Sequence, residues 1–109
     1  MRRLEFIIPI IMNSKFMLAA LEQARRAADM GEIPVGAVIV KNGEIIAAAH
    51  NMREKKQNAL SHAETETINI ACKKLNSWRL DECEMYVTLE PCPMCAGALI
   101  NARIKTLVF

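Results

Sequence analysis

The chain has 109 residues, 52% of them hydrophobic and 24% charged, with a formal net charge of +2. That length supports one modest core, and the mixture excludes a disordered, fibrous or collagen-like chain. The small net charge does not by itself mark a nucleic-acid binder. Local clusters at Arg53/Lys55/Lys56, Lys73/Lys74 and Arg103/Lys105 read either as solvated faces or as patches for an anionic partner.

The stretch MRRLEFIIPIIM places Arg2 and Arg3 before an apolar patch, residues 6–12, that Pro9 interrupts. The patch falls far short of the roughly 20 apolar residues that span a bilayer, and no small-residue cleavage site follows it. Residues 1–13 therefore read as an extension or an extra edge segment, with Met12 as an alternative start. The expected setting is cytoplasmic, with no membrane partner.

Asn13 or Ser14 can cap a helix whose apolar positions Phe16, Met17, Ala20, Leu21, Ala24, Ala27 and Ala28 recur at helical spacing. Gly31 is its stop. Two apolar runs, 35–41 and 44–49, flank Asn42-Gly43, the strongest short-range hairpin signal. Residues 51–60 are polar and basic and read as a loop. A second helix is predicted from Ser61 or His62, with a stripe at Ile68, Ala71, Cys72 and Leu75.

After a linker around 76–81, residues 84–89 read as a strand rich in β-formers. Pro93 suits the first turn of a third helix, with Cys92 at its N-cap, running through Ile100. Residues 103–109 read as a fourth strand, on which the sequence ends. Strand, helix and strand in so short a span make a βαβ unit with a parallel pair. The predicted order α-β-β-α-β-α-β describes an α/β fold, a mixed sheet with helices on its faces.

The chemistry-bearing residues gather at two predicted helix starts. Leu60-Ser61-His62-Ala63-Glu64-Thr65 holds one of the chain's two histidines. It also holds a Ser-x-x-Glu pattern, the capping box that satisfies free N–H groups at a helix start. Glu64 is thus either a cap or a proton-transfer group. Of the four cysteines, Cys92 and Cys95 form a C-x-x-C pair at the other start, where the helix dipole favours thiolate.

Read alone, the pair is a redox motif or a metal site, and His62 is a packed side chain or a ligand. Read together, His62, Cys92 and Cys95 make three donors of the types zinc prefers. Three rather than four leaves a position for water, as in a catalytic site. Zinc would lower the pKa of that water toward neutrality, and Glu64 stands two residues from His62 to carry its proton. Cys72 falls on the apolar stripe and reads as core, and Cys83 lacks a partner at ligand spacing.

His62-Ala63-Glu64 with Pro91-Cys92-Pro93-Met94-Cys95 matches the H-x-E…P-C-x-x-C signature known from zinc nucleobase deaminases. The chain closely resembles the tRNA-specific adenosine deaminases of the cytidine-deaminase-like superfamily. GEIPVGAVIV (31–40), His50-Asn51, WRL (78–80) and YVTLEPCPMCAGALINARI (86–104) carry the likeness as well, over about residues 14–109.

The resemblance implies a three-layer α-β-α cytidine-deaminase-like domain over 14–109. It also implies hydrolytic deamination of adenosine to inosine at the wobble position of a tRNA anticodon stem-loop. The enzyme would be a homodimer with one zinc per subunit. Carried over by position, His62, Cys92 and Cys95 bind zinc and Glu64 is the general acid/base. Asn51 holds the flipped base or its ribose, Val35 and Ala63 line the pocket, and Glu90 and Pro91 shape the loop beside the metal.

The family continues past the position of Phe109 with a further strand and terminal helices, so a shortened member is expected. Two other readings stay open: deamination of a free base or nucleoside such as guanine or cytosine, and an inactive, zinc-stabilised fragment that only dimerises.

Overall fold

A computed structural model of the protein describes residues 5–7 and 14–109. The elements are β1 (Glu5–Ile7), α1 (Ser14–Asp29), β2 (Gly36–Lys41), β3 (Glu44–His50), α2 (Arg53–Lys56), α3 (Ala63–Leu75), β4 (Cys83–Val87), α4 (Pro93–Asn101) and β5 (Thr106–Val108). The seven expected elements are present, and β1 and α2 are additional. Of the N-terminal segment, residues 5–7 do form an extra edge strand; the proposed Asn13 cap lies outside the described residues.

Among the described residues, five strands form one mixed sheet in the order β1-β5-β4-β2-β3. β2 runs antiparallel to both β3 and β4, whereas β4 and β5 are parallel, as the βαβ reading required. β1 pairs parallel with β5 at the edge. The hairpin turns on Asn42 and Gly43, with φ of 52° and 77°, the two positive values that a type I′ turn needs. Ile39 faces Ala47 while Val40 faces Ile45, so Ile46 is an extra residue that bulges β3.

Side-chain alternation along the strands divides the core in two. Val38, Val40, Tyr86 and Val108 meet Phe16 and Ala20 of α1 on one face. Ala37, Ile39, Met85, Val87 and Leu107 meet Ala63 and Ala71 of α3 and Leu99 of α4 on the other. Helices therefore cover both faces, and the fold is the three-layer α/β arrangement. In α1 the buried line is Phe16, Ala20, Ala24 and Ala27. Leu21 and Ala28, expected on it, are exposed, because each lies one position round the helix from that line.

Two other expectations need correction. β5 begins at Thr106 rather than at residue 103, since Arg103 adopts a left-handed φ of 66° and Ile104 N–H returns to Leu99 carbonyl. Those bonds close α4 as a Schellman motif and delay the strand. The polar run 51–60 is not all loop, because residues 53–56 form the one-turn helix α2.

α1 sits against β2 at backbone contact. A Cβ on Gly36 would collide with the Ala20 carbonyl and the Ala24 amide. Gly36 also exchanges bonds with Thr88, its N–H donating to Oγ1 at 3.1 Å and its carbonyl accepting the Thr88 N–H at 3.1 Å. Gly36→Ala is expected to lower stability by about 1–3 kcal/mol, the range for overpacking. A urea denaturation midpoint equal to that of the parent chain would show that α1 is not held by this contact.

Candidate metal centre and adjoining pocket

α3 begins with His62 as N-cap (φ −82°, ψ 164°), and the side chain that folds back onto the helix start is Thr65, not Glu64. Thr65 Oγ1 accepts the His62 N–H at 3.1 Å and its hydroxyl reaches the Leu60 carbonyl. Ser61 is buried in the preceding turn, its carbonyl accepting the Met52 N–H at 3.0 Å. A frame shifted by one residue relieves Glu64 of capping. It lies in the first turn of α3, 4% exposed, on the side that faces the sheet edge.

α4 begins with Cys92 as N-cap and Pro93 in its first turn, as the sequence indicated. The two helix starts bring the donors together. His62 Nδ1 lies 3.7 Å from Cys92 Sγ and 3.5 Å from Cys95 Sγ, and the three atoms are all within 4.8 Å of one another. Bond lengths of about 2.0 Å to nitrogen and 2.3 Å to sulfur at a tetrahedral angle place such atoms about 3.6 Å apart. The donor set thus fits a tetrahedral ion with three protein ligands. Among the described residues it is the one group of three or more His, Cys, Asp or Glu side chains so placed.

The electrostatics agree with that fit. Burial, and after it the neighbouring Glu64 carboxylate, pushes the Cys95 thiol far above its ordinary value. A bare thiolate is disfavoured there, whereas a divalent cation deprotonates a coordinating thiol outright. Burial likewise raises the Glu64 carboxyl, while its own backbone N–H, His62 and the Cys95 thiol pull the other way. Cys72 and Cys83 stand apart from the donor set. Cys83 is fully buried and Cys72 packs against the core beside it, as its place on the α3 stripe suggested.

A cavity of about 170 Å³ opens beside the donors, lined by Ile33, Val35, Asn51, Arg53, His62, Ala63, Glu64, Leu89, Glu90 and Cys92. The structure therefore assembles Val35, Asn51, Ala63 and Glu90 as the sequence reading grouped them. Pro91 is half-buried in the loop between Glu90 and Cys92 and is not part of the wall. Cys95 is buried behind the cavity. Ile33, Arg53 and Leu89 were missed. Arg53 belonged to a basic run, but only the turn at 53–56 reveals that it folds back onto Asn51.

Asn51 is buried and ends the hairpin. Its Oδ1 accepts the Arg53 N–H at 3.0 Å, which fixes the amide orientation and leaves Nδ2 as the donating end. Its own N–H donates to the Val35 carbonyl at 3.1 Å. Of the other basic clusters, Lys73 and Lys74 lie in the last turn of α3, about 16 Å along its axis from His62. Arg103 donates to the Ile100 and Asn101 carbonyls and covers the Trp78 ring.

A three-layer α/β sheet with metal donors at two helix starts beside a small pocket defines a deaminase-type centre. The chain belongs to the MafB19-like deaminase family, whose model matches residues 11–109. It is 53% identical over 94 residues to a tRNA-specific adenosine deaminase of Bacillus subtilis, covering 86% of this chain and 58% of that protein. For the Aquifex aeolicus protein of the same name the identity is 51%, covering 86% and 62%. The chain thus spans about three-fifths of the length of these relatives.

A solved tRNA:A34 deaminase, described for A-to-I editing at the wobble position, superimposes with a TM-score of 0.85 at 44% identity. The match covers 86% of this chain and 72% of that one. A guanine deaminase from Bacillus subtilis reaches the same TM-score at 41% identity, covering 89% and 63%.

The donor geometry generates a spectroscopic prediction. Metal-free protein titrated with Co²⁺ is expected to develop thiolate-to-metal charge-transfer absorption that Cys95→Ser weakens and Cys72→Ser leaves intact. Absorption surviving in a Cys92→Ser/Cys95→Ser double variant would overturn the assignment of donors.

Proposed function

We propose that residues 14–109 form the zinc-binding deaminase domain of a tRNA-directed enzyme. It converts adenosine to inosine by hydrolysis at the wobble position of the anticodon stem-loop. The observation that carries the reading is the triad His62, Cys92 and Cys95 within 4.8 Å, with buried Glu64 beside it on the cavity wall. Identity near 50% to proteins named tRNA-specific adenosine deaminases supports the choice of substrate.

Hydrolytic deamination consumes one water and releases ammonia, as the exocyclic amino group is replaced by oxygen. His62, Cys92 and Cys95 would hold one zinc per subunit, which when bound makes a coordinated water acidic enough to supply hydroxide near neutral pH. The proton account falls to Glu64. Its carboxylate takes one proton from the attacking water and gives it to the ring nitrogen, then takes the second from the new hydroxyl and gives it to the amine, which leaves as ammonia. Burial, by raising its pKa, suits it to carry a proton in both directions.

Asn51 donates from Nδ2 to the base or its ribose, and Val35 and Ala63 form apolar walls. Glu90 and Pro91 set the path of the loop that leads to Cys92. Arg53 lines the pocket beside its ion-pair partner Glu54, and with Lys55 two residues on in the same turn it offers positive charge to the RNA backbone.

The assembly in this reading is a homodimer, as the family resemblance implies. No helix among the described residues is long and apolar enough to cross a membrane. The cytoplasm, where tRNA is the substrate, is the compartment of this reading.

The equal structural likeness to a guanine deaminase favours one second reading, deamination of a free base. Zinc-loaded protein is expected to form inosine in an anticodon stem-loop with adenine at the wobble position. Consumption of guanine with no inosine formed would replace the first reading by the second. Zinc bound at about one per chain with no turnover of either would indicate a dimerising fragment. Glu64→Ala is expected to retain zinc and lose about 10²–10⁴-fold in rate, the range for general acid–base catalysis. Retained rate would remove Glu64 from its role.

A further inference from the structure

We propose that Glu32 is a positioning residue for the pocket, holding the turn 53–56 so that Asn51 presents its amide and Arg53 its side chain to the substrate. α1 ends in a Schellman motif. The Glu32 N–H returns to the Ala27 carbonyl at 2.9 Å and the Gly31 N–H to Ala28 at 3.1 Å, with Gly31 at φ 76°. This exit delivers Glu32 to a site 6% exposed, immediately before the lining residue Ile33.

The carboxylate of Glu32 is spent on two backbone donors more than twenty residues away. Oε1 accepts the Glu54 N–H at 3.0 Å and Oε2 accepts the Lys55 N–H at 2.8 Å. Every free donor in the first turn of α2 is thereby satisfied from outside the helix. Met52 N–H goes to the Ser61 carbonyl, Arg53 N–H to Asn51 Oδ1, and the next two to Glu32. The N-cap residue Met52 supplies none of these from its side chain.

A helix of four residues does not persist by its own propensity. Its orientation is set by these outside acceptors, and the charged, bidentate one is the strongest of them. The Arg53 amide that orients Asn51 is the neighbour of the two that Glu32 holds. If the Glu32 bonds are lost, the Asn51 bond loses its partner's position. The effect is expected on substrate binding rather than on the metal donors, which sit on α3 and α4. Glu32 touches neither substrate nor metal in this scheme and acts through Asn51 and Arg53.

The kinetic half of this inference rests on the deaminase reading; the spectroscopic half does not. Glu32→Gln keeps the shape but turns one acceptor into a donor facing an N–H. In ¹⁵N-labelled zinc-loaded protein, the variant is expected to speed amide exchange at Arg53, Glu54 and Lys55 by about tenfold, the worth of one such hydrogen bond. The Asn51 side-chain NH₂ resonances are expected to move, and the sheet amides to stay protected.

Freed Glu54 and Lys55 amides with Arg53 and Asn51 unchanged would overturn the proposal and reduce Glu32 to a local cap. With the anticodon stem-loop, KM is expected to rise about tenfold and kcat to change less than about threefold. The loss in Glu32→Gln/Asn51→Ala should be smaller than the product of the single losses. An unchanged KM, or fully multiplicative losses, would also overturn it. If the parent chain forms no inosine, the tRNA-adenosine reading fails and the exchange experiment still decides the role of Glu32. Should Glu32→Gln not fold, Glu32→Asp, too short to reach both amides, is read by the same two measurements.

Discussion

Strand β2 is hydrogen-bonded on both sides and covered on both faces, and the rest of the molecule is placed relative to it. Such a strand must be apolar on both faces, and Ala37–Val40 are all buried. Gly36 at its start admits the α1 backbone at contact distance, and farther along that face Val38 and Val40 pack against Phe16 and Ala20. The other face receives α3 and, beside β4, α4. The ends of β3 and β4 then feed the two helix starts that converge on one edge. Neither start alone makes a site. Their convergence within a few ångströms is a consequence of how β2 is enclosed.

That edge balances two opposed demands. Burial of Glu64 and Cys95 disfavours their charged forms, while the function proposed here needs thiolate at one and a mobile proton at the other. A dication at the donor set would settle the first demand and leave the second to Glu64. The helix starts contribute in the same sense, since their free N–H groups favour negative charge. A metal held here would thus be as much an electrostatic component of this edge as a chemical one.

Much of the architecture was legible in the sequence where one local rule had no competitor. Asn42-Gly43 dictates its turn, Pro93 dictates the start of α4, and the βαβ span dictates a parallel pair. The donor triad was legible for the same reason, because His and Cys at these spacings have few other joint uses. The reading slipped where two rules competed within a residue or two. Ser61-x-x-Glu64 and His62-x-x-Thr65 are overlapping capping frames, and only burial of Ser61 and Glu64 decides between them. α2 could not be read at all, since its first-turn acceptors are Asn51, the Ser61 carbonyl and Glu32, the last more than twenty residues upstream. Ile33, Arg53 and Leu89 join the pocket through that turn and the loop after β4, and no periodicity marks them.

The helix exits carry a consequence of another kind. α1, α2, α3 and α4 all leave through a left-handed residue, yet only α1 uses glycine; the others use Gln57, Asn76 and Arg103. An L-residue in that conformation costs roughly 1 kcal/mol that a glycine would not. These stops are therefore written in backbone hydrogen bonds rather than in residue identity, which leaves the side chains free for other duties. Arg103 uses that freedom to cap α4 and cover Trp78. The ends of α3 and α4 opposite the donor set are thus closed by main-chain hydrogen bonds, independently of the edge where His62, Cys92 and Cys95 converge.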